Sequence, residues 1–249
     1  MSQNVAFLIG VPNCKSHKFY DLPACDNDVE QMSDLIEATK RFNKIQKLID
    51  YTSSEIQEAL KSVGAQSEEI DEIFIYFTGH GHTSEDDFYW VAKGFDVDSP
   101  RSTGVSEKSL MEILREIDAK HTIIVQDACF SGQALYKKTF AETLPPLSNL
   151  IKFSSSAANA ETPAGVIVSP FTDHFIEAAS TAKSEGVVDY LAVTQKLNDL
   201  LEKDQLKPHL GYQGTSKQIF CDDASYLAKI RAKYEVSVVR DFGTFGRLS

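Results

Sequence analysis

Short apolar runs alternate with segments of helical periodicity along most of this chain, and that alternation restricts the fold more than any other feature. Residues 73–77 and 122–125 are nearly free of polar side chains at consecutive positions. Such runs are typical of strands buried on both faces. Strands that alternate with helices build a mostly parallel sheet covered by helices on both faces, so we predict an α/β fold with about six strands in its central sheet.

The local patterns assign an element to each part of the chain. Predicted sheet strands are NVAFLIGV, KIQKLIDY, EIFIYF, HTIIVQD, LIKFSSSA and KQIF, and DDFYWVAKG is interpreted as a hairpin arm. Apolar residues recur at helical spacing after the first strand, with Asp26 and Asn27 as candidate caps of that helix. Further helices are predicted in SSEIQEALKSV, SEKSLMEILREID, SPFTDHFIEAAS and DYLAVTQKLNDLLEK.

Two of the buried strands end in small residues around one reactive side chain. The segment FTGHGH carries His80 directly after one strand, and QDACFSG carries Cys129 directly after another. In open parallel sheets ligands sit beyond the carboxyl ends of the strands. If these two strands are neighbours, His80 and Cys129 meet at that edge.

A cysteine and a histidine at one sheet edge suit nucleophilic catalysis. A free thiol has a pKa of about 8.5, so it needs a base such as His80 to become a thiolate at neutral pH. A helix beginning just after Cys129 would add the partial positive charge of its free N–H groups. Gly79 and Gly81 allow a sharp turn, and we expect the backbone amides of Gly81 and Cys129 to form an oxyanion hole.

The order and spacing of this pair carry a family resemblance. His80 precedes Cys129 by 49 residues, and the caspase signature places a histidine about 50 residues before its Q-A-C nucleophile motif. The chain resembles the caspase-like cysteine peptidases, and among them metacaspases and their prokaryotic relatives. The segments LIGV, LPACDNDVEQM, IFIYFTGHGH, IIVQDACFSG, FSSSA and SPFTDHFIEAA extend the resemblance over most of the chain. It implies a caspase-like sandwich.

One position separates this sequence from caspases. Caspases carry Gln two residues before the nucleophile, whereas this chain carries Asp127, as metacaspases do. In that family this aspartate and an earlier one, matched here by Asp28, line the pocket for the residue before the scissile bond. Cys25 and Thr78 match the wall of the same pocket. The resemblance therefore implies an endopeptidase that cleaves after Arg or Lys through a thioacyl-enzyme, in a stress, cell-death or antiviral defence pathway.

The resemblance also implies a division of the chain. We predict a peptidase domain over residues 1–222, with a larger-subunit-like part to about residue 133 and a smaller-subunit-like part over about 149–222. The linker between them, about 134–148, contains a Lys-Lys pair and is a candidate for self-cleavage. Residues 223–249 are predicted as a C-terminal helix and tail of unknown role.

Charge and hydropathy exclude several classes of protein. The chain has 25 basic and 36 acidic residues, a formal charge of −11, which argues against nucleic-acid binding. No stretch reaches the roughly 20 apolar residues of a membrane span, and the amino terminus lacks a secretory signal, so we expect a cytoplasmic protein without membrane contact. Its four cysteines are expected to be reduced.

We expect no cofactor and no metal site. His80 and His82 alternate in an extended stretch, but no further His or Cys lies near enough in sequence to complete a zinc set, so His82 is interpreted as a loop residue. Glu85, Asp86 and Asp87 form an acidic turn, which is usually only solvated. Metacaspases are often calcium-dependent, yet no calcium site can be assigned here.

Two alternatives to a peptidase stay open. The same fold also serves as a catalytically idle scaffold that binds peptides or partner proteins. A nucleotide-binding α/β domain is disfavoured, because the first strand is followed by neither G-x-G-x-x-G nor a P-loop. For the peptidase, the expected partners are a protein or peptide substrate with a basic residue before the cleaved bond, and a regulatory protein acting in trans.

Overall fold

The computed structural model describes most of the chain. The described residues are 2–16, 18–65, 69–84, 87–128, 147–155, 167–182, 186–203, 209–214, 218–230 and 233–234. Its strands are β1 (Gln3–Gly10), β2 (Lys44–Ile49), β3 (Ile70–Gly79), β4 (Gly81–Ser84), β5 (Asp87–Trp90), β6 (Val105–Ser106), β7 (His121–Ala128), β8 (Leu150–Ser154), β9 (Val188–Asp189), β10 (His209–Gln213) and β11 (Ile219–Cys221). Its helices are α1 (Ala24–Ala38), α2 (Ser53–Gly64), α3 (Pro100–Thr103), α4 (Glu107–Ile117), α5 (Pro170–Thr181) and α6 (Tyr190–Lys203), followed by a 3₁₀ turn (Ala224–Tyr226).

The described strands build a six-stranded central sheet in the order β10-β8-β7-β3-β1-β2. All neighbouring pairs are parallel except β10 with β8. Strands β4, β5 and β6, which follow β3 in the sequence, form a small separate sheet. The predicted α/β fold with a mostly parallel central sheet is confirmed.

The sheet is buried on both faces because each central strand supplies apolar side chains to two cores. Along β3, Ile73, Ile75 and Phe77 belong to one core, and Phe74 and Tyr76 belong to the other. This alternation is the two-residue period of an extended strand. Helices α2 and α4 cover the first core, and α1, α5 and α6 cover the second. The apolar face of α4, which includes Leu110 and Leu114, is buried.

One predicted strand lies in a different sheet from the one expected. Ile219 and Phe220 of the segment KQIF form a strand, as predicted, but this strand, β11, pairs with β9 in a separate two-stranded sheet and does not join the central sheet. The sixth strand of the central sheet is β10 instead. Its sequence, HLGYQ, contains a glycine and polar residues and is half-buried to exposed, so it lacks the apolar pattern that identifies a buried strand.

The predicted caps of α1 are also wrong. The helix begins at Ala24, with Pro23 at its N-cap and no side-chain hydrogen bond to the free backbone amides. Proline fixes φ near a helical value, which favours a helix start at this point without a capping side chain. Asp26 lies in the first turn of the helix instead.

The described residues after 222 pack against the same core as α1. Leu227 is fully buried in that core. Lys40, in the turn that follows α1, places its Nζ 3.6 Å from the centre of the Tyr226 ring, and Lys233 and Tyr234 both contact the carboxylate of Asp34. In the part of the chain that the structure describes, no helix is long and apolar enough to cross a membrane.

Candidate active site

The carboxyl ends of β3 and β7 lie side by side. Their register pairs Thr78 with Asp127 and Gly79 with Ala128. His80 directly follows Gly79, and Cys129, which lies outside the described residues, directly follows Ala128 in the chain. The two strands are therefore neighbours, as predicted, and the residues immediately before His80 and Cys129 pair with each other in the sheet.

The imidazole of His80 is held by the backbone of a neighbouring loop. Its Nε2 lies 2.7 Å from the carbonyl oxygen of Tyr20. Because a carbonyl oxygen only accepts hydrogen bonds, Nε2 carries the hydrogen, and Nδ1 is the basic nitrogen of the neutral ring. The rings of Phe19 and Tyr20 pack against the imidazole, with centroids at 5.0 and 4.8 Å. Burial lowers the pKa of His80, and the Tyr20 carbonyl partly offsets this effect.

The loop that carries Tyr20 is itself fixed by backbone hydrogen bonds. The amide of Leu22 donates to the carbonyl of Pro12 at 2.8 Å, and the amide of Gly94 donates to the carbonyl of Cys14 at 2.7 Å. Sequence reasoning missed Tyr20, since a residue that acts through its backbone carbonyl leaves no signal in its side-chain type.

The glycines around His80 have different surroundings. A Cβ added to Gly79 would lie 3.0 Å from Cζ of Phe77, whose ring stacks on Trp90 at 4.5 Å. Close packing therefore favours glycine at this position. Gly81 is buried and is the first residue of β4, where it pairs with Trp90. An oxyanion hole formed by the amides of Gly81 and Cys129 stays a prediction, because Cys129 lies outside the described residues.

Asp28, Thr78 and Cys25 form one buried cluster on the α1 side of the sheet. The side chain of Asp28 is fully buried, and its Oδ2 accepts a hydrogen bond from Thr78 Oγ1 at 2.9 Å. Its Oδ1 accepts from the backbone amide of Ser169 at 2.8 Å. The same Thr78 Oγ1 lies 3.5 Å from Cys25 Sγ. The structure thus brings together three residues that were predicted to line one pocket.

Asp127 joins this cluster from β7. Its Oδ2 accepts hydrogen bonds from the hydroxyl of Ser169 and from Thr172 Oγ1, the latter at 2.8 Å. Ser169 therefore contacts both aspartates, one through its amide and the other through its hydroxyl. Sequence reasoning did not assign Ser169 or Thr172 to the site, although both lie in the SPFT segment that contributes to the family resemblance.

Burial and mutual repulsion keep the two carboxyl groups from ionising independently. Burial, followed by the charge of Asp127, raises the pKa of Asp28 to about 7. Burial also raises the pKa of Asp127, against the lowering effect of hydrogen bonds from Ser169, Thr172 and Ser155. These donors are all neutral, so a cation that entered between the carboxylates would supply the missing countercharge.

The structure corrects the expectation for His82. His82 is not in a loop: it lies in β4, and its ring packs on Phe95 with centroids at 5.4 Å. Among the described residues no group of three or more His, Cys, Asp or Glu could hold a metal ion.

The acidic turn and the linker are described only in part. In the acidic turn, Asp87 accepts a hydrogen bond from the amide of Phe88 at 2.8 Å, whereas residues 85–86 lie outside the described residues. Most of the predicted 134–148 linker also lies outside them.

A family model and a curated relative both support the same family. The family model for the caspase domain matches residues 3–229 of this chain. Metacaspase III c of Phaeodactylum tricornutum is 30% identical over 146 residues, which are 52% of this chain and 43% of that protein. The chain therefore matches less than half the length of this curated relative.

Two solved structures share the fold. Caspase-1 from Spodoptera frugiperda superposes with a TM-score of 0.64 at 13% identity, over 89% of this chain and 91% of that chain. Protein GSU0716 from Geobacter sulfurreducens gives a TM-score of 0.60 at 14% identity, over 87% and 97% of the two chains. These two structures show that the fold is shared, and the match to the caspase-domain model confirms the resemblance inferred from the sequence motifs. The chain belongs to the caspase-domain family of cysteine peptidases.

Proposed function

We propose that this protein is a cysteine endopeptidase that cleaves after Arg or Lys, with Cys129 as nucleophile and His80 as base. The observation that carries the proposal is the pairing of the buried carboxyl group of Asp28 with the partly buried one of Asp127 by Ser169, at the sheet edge that also carries His80. A pocket lined by two acidic side chains, beside a Cys-His pair, suits a cationic side chain next to the scissile bond.

The reaction follows from the orientation of the imidazole. Nδ1 of His80 takes the thiol proton of Cys129, and the thiolate attacks the substrate carbonyl carbon to form a C–S bond. The amides of Gly81 and Cys129 stabilise the oxyanion. The imidazolium then gives its proton to the leaving amine as the C–N bond breaks, and water activated by His80 hydrolyses the thioacyl-enzyme. The Tyr20 carbonyl stabilises the imidazolium by accepting its Nε2–H throughout.

Electrostatics set the specificity of the pocket. Hydrogen bonds between charged partners contribute roughly 1.5–3 kcal/mol each, and like charges in contact cost several more, so Arg should be favoured over Asp by at least about a hundredfold. Arg should also be favoured over Lys if its planar fork reaches both carboxylates. The formal charge of −11 favours encounter with cationic substrates. A defence role and a regulator acting in trans stay predictions of the resemblance.

The proposal is tested with fluorogenic peptides that differ only in the residue before the scissile bond. We expect cleavage to be fastest after Arg, slower after Lys and negligible after Asp. Asp127→Ala should raise KM for Arg peptides while a thiol-directed probe still labels Cys129. Cys129→Ala should abolish cleavage of every peptide. Cys221→Ala is its matched control and should keep the activity, since Cys221 is a buried thiol in β11, away from this sheet edge.

Two results would contradict the proposal. Cleavage that persists in Cys129→Ala would exclude this nucleophile. Faster cleavage after Asp than after Arg would exclude the basic pocket, and labelling without cleavage of any peptide would favour the scaffold alternative.

A further inference from the structure

The side chain of Tyr20 is exposed beside the imidazole of His80. Its exposed fraction is 53%, the highest among the exposed large apolar side chains of the described part of the chain. Its ring is perpendicular to the imidazole, and the two ring centres are 4.8 Å apart. Single exposed apolar residues are common on protein surfaces, so it is the position of this ring against a reacting group that points to a function.

Backbone contacts hold the ring in this position. The carbonyl of Tyr20 accepts the hydrogen bond from Nε2 of His80 at 2.7 Å. Two residues further on, the amide of Leu22 donates to the carbonyl of Pro12 at 2.8 Å, and the carbonyl of Leu22 accepts from the amide of Cys25 at 3.0 Å. The loop is therefore fixed at Tyr20 and just after it, so a ligand that binds against the ring loses little conformational entropy of the loop.

The neighbouring aromatic side chain, Phe19, has a different environment. Its ring packs on those of His80, Phe95 and His82, with centroids at 5.0, 5.8 and 6.3 Å. It also packs against the core that α2 and α4 cover. Phe19 therefore supports the imidazole from the protein side, whereas Tyr20 presents ring surface to solvent.

The proposed reaction brings the leaving part of the substrate close to Tyr20. The imidazolium of His80 gives the proton on Nδ1 to the leaving amine, so that nitrogen must come within about 3 Å of Nδ1. The residue after the scissile bond begins at this nitrogen, and its side chain starts only two bonds away. Since the ring centre of Tyr20 lies 4.8 Å from that of the imidazole, the ring is within reach of this side chain.

The residue before the scissile bond has a separate surface. Its proposed pocket is lined by Asp28, Thr78 and Asp127 and is closed by Ser169, on the side of the sheet that α1 and α5 cover. Tyr20 precedes α1 and packs on the imidazole. The two sides of the cleaved bond therefore meet surfaces of different chemistry, which are acidic on one side and aromatic on the other.

We propose that the ring of Tyr20 forms the subsite for the residue that follows the scissile bond, and that this subsite selects apolar and aromatic side chains. The inference rests on the proposed function, because it takes His80 as the group that protonates the leaving amine. It narrows the substrate class to sequences in which a basic residue is followed by an apolar one, and it makes Tyr20 a specificity-determining residue.

The chemistry of this surface favours an apolar occupant over a charged one. Contact with the ring removes apolar area of both partners from water, and aromatic pairs gain further from edge-to-face contact. Burial lowers the pKa of His80, whereas the Tyr20 carbonyl and the charge of Asp21 oppose this effect. The carboxylate of Asp21 therefore lies near enough to disfavour an acidic side chain at the same place.

Internally quenched peptides test the proposal, because their leaving part is an amino-acid residue rather than a dye. The peptides share one sequence with Arg before the scissile bond and differ only in the next residue, which is Phe, Leu, Gly, Asp or Lys. For the wild-type full chain we expect kcat/KM to be about tenfold higher with Phe or Leu than with Gly, and lowest with Asp. Equal rates for Phe and Gly, or a preference for Asp or Lys over Phe, would overturn the inference.

Variants of Tyr20 assign the preference to its ring. Tyr20→Ala should lower the Phe-to-Gly ratio of kcat/KM to roughly one to two, and Tyr20→Phe, which keeps the ring, should keep the wild-type ratio. The ratio is informative because a change transmitted through His80 affects both peptides alike. Tyr226→Ala is the matched control: Tyr226 is an exposed tyrosine of the 3₁₀ turn that contacts Lys40, and its loss should leave the ratio unchanged. A wild-type ratio in Tyr20→Ala would show that another surface makes the selection.

The outcomes separate this inference from the proposed function. If the wild-type protein cleaves none of the peptides, the dyad or the basic pocket is wrong. If it cleaves all of them after Arg at one rate, the proposed function stands and the Tyr20 subsite is wrong. Should Tyr20→Ala be too slow to measure, Tyr20→Gln decides in its place, since it keeps a long side chain but replaces the apolar ring by an amide.

Discussion

The buried carboxyl group of Asp28 should make the folded protein less stable as the pH rises, and Asp28→Asn should remove that loss. The folded protein holds Asp28 with a pKa of about 7, whereas its ordinary value is 3.8. The folded state therefore binds the proton more tightly than the unfolded state does. The resulting stabilisation is fully present below about pH 4 and is lost as the pH rises through 7.

The size of the effect follows from the difference between the two pKa values. Each pKa unit corresponds to 1.36 kcal/mol, so the contribution of Asp28 to the free energy of unfolding falls by about 4 kcal/mol between pH 4 and pH 8. Solvent screening does not reduce it, because the side chain has no exposed surface. An effect of this size is a large fraction of the usual stability of a domain.

Urea unfolding at pH 5 and pH 8 tests the prediction, with Cys129→Ala as the background so that self-cleavage cannot interfere. Asp28→Asn should be more stable than its parent at pH 8, and this advantage should shrink by a few kcal/mol at pH 5. Asp26→Asn, an exposed aspartate of the same helix, is the control and should show no such change. An advantage of equal size at both pH values would refute the reasoning, since Asp28 would then titrate in the same way in both states.

Three further predictions concern catalysis and processing. Cys129→Ala and His80→Ala should each remove nearly all turnover of Arg peptides, and the double variant should cost little more than either one; additive losses would contradict a dyad. Burial lowers the pKa of His80, so the rate of alkylation of Cys129 by iodoacetamide should fall only below about pH 6.5. In contrast, kcat/KM for Arg peptides should keep rising through pH 7, because Asp28 ionises there. Wild-type protein should be cut within residues 134–148, at Lys137 or Lys138, and mass spectrometry should find Cys129→Ala intact; an uncut and fully active wild type would remove self-processing.

The sequence predicted the sheet edge of the site because β3 and β7 are buried on both faces. Such strands stand out as continuous apolar runs, and the residues that follow them must lie at the carboxyl edge of the sheet. His80 could be assigned in this way from the sequence alone. Asp28, Thr78 and Cys25 needed the family resemblance, since a helix residue, a strand residue and a thiol share no local pattern.

Contacts made by backbone atoms or across long stretches of sequence could not be predicted. Tyr20 holds His80 through a carbonyl, which every residue type possesses. Ser169 meets Asp28 across 141 positions of the chain, and Thr172 meets Tyr76 across 96. Hydroxyl residues at the start of a helix are ordinary capping choices, so nothing local distinguishes these two from caps. Only the packing of α5 on the sheet gives them a role in the pocket.

The register between β3 and β7 controls the chemistry of the pocket more strictly than any single residue does. Side chains of a strand alternate between faces, and Tyr76 and Val125 belong to the core on the α1 side of the sheet. Thr78 and Asp127, each two residues further on, therefore share that side and meet α1 and α5. A slip of β7 by one residue would turn Asp127 to the opposite face and bring the neutral amide of Gln126 into the pocket. The pocket would then lose its charge with the sequence unchanged, so the apolar residues that fix the register of these two strands also protect the proposed specificity for basic side chains.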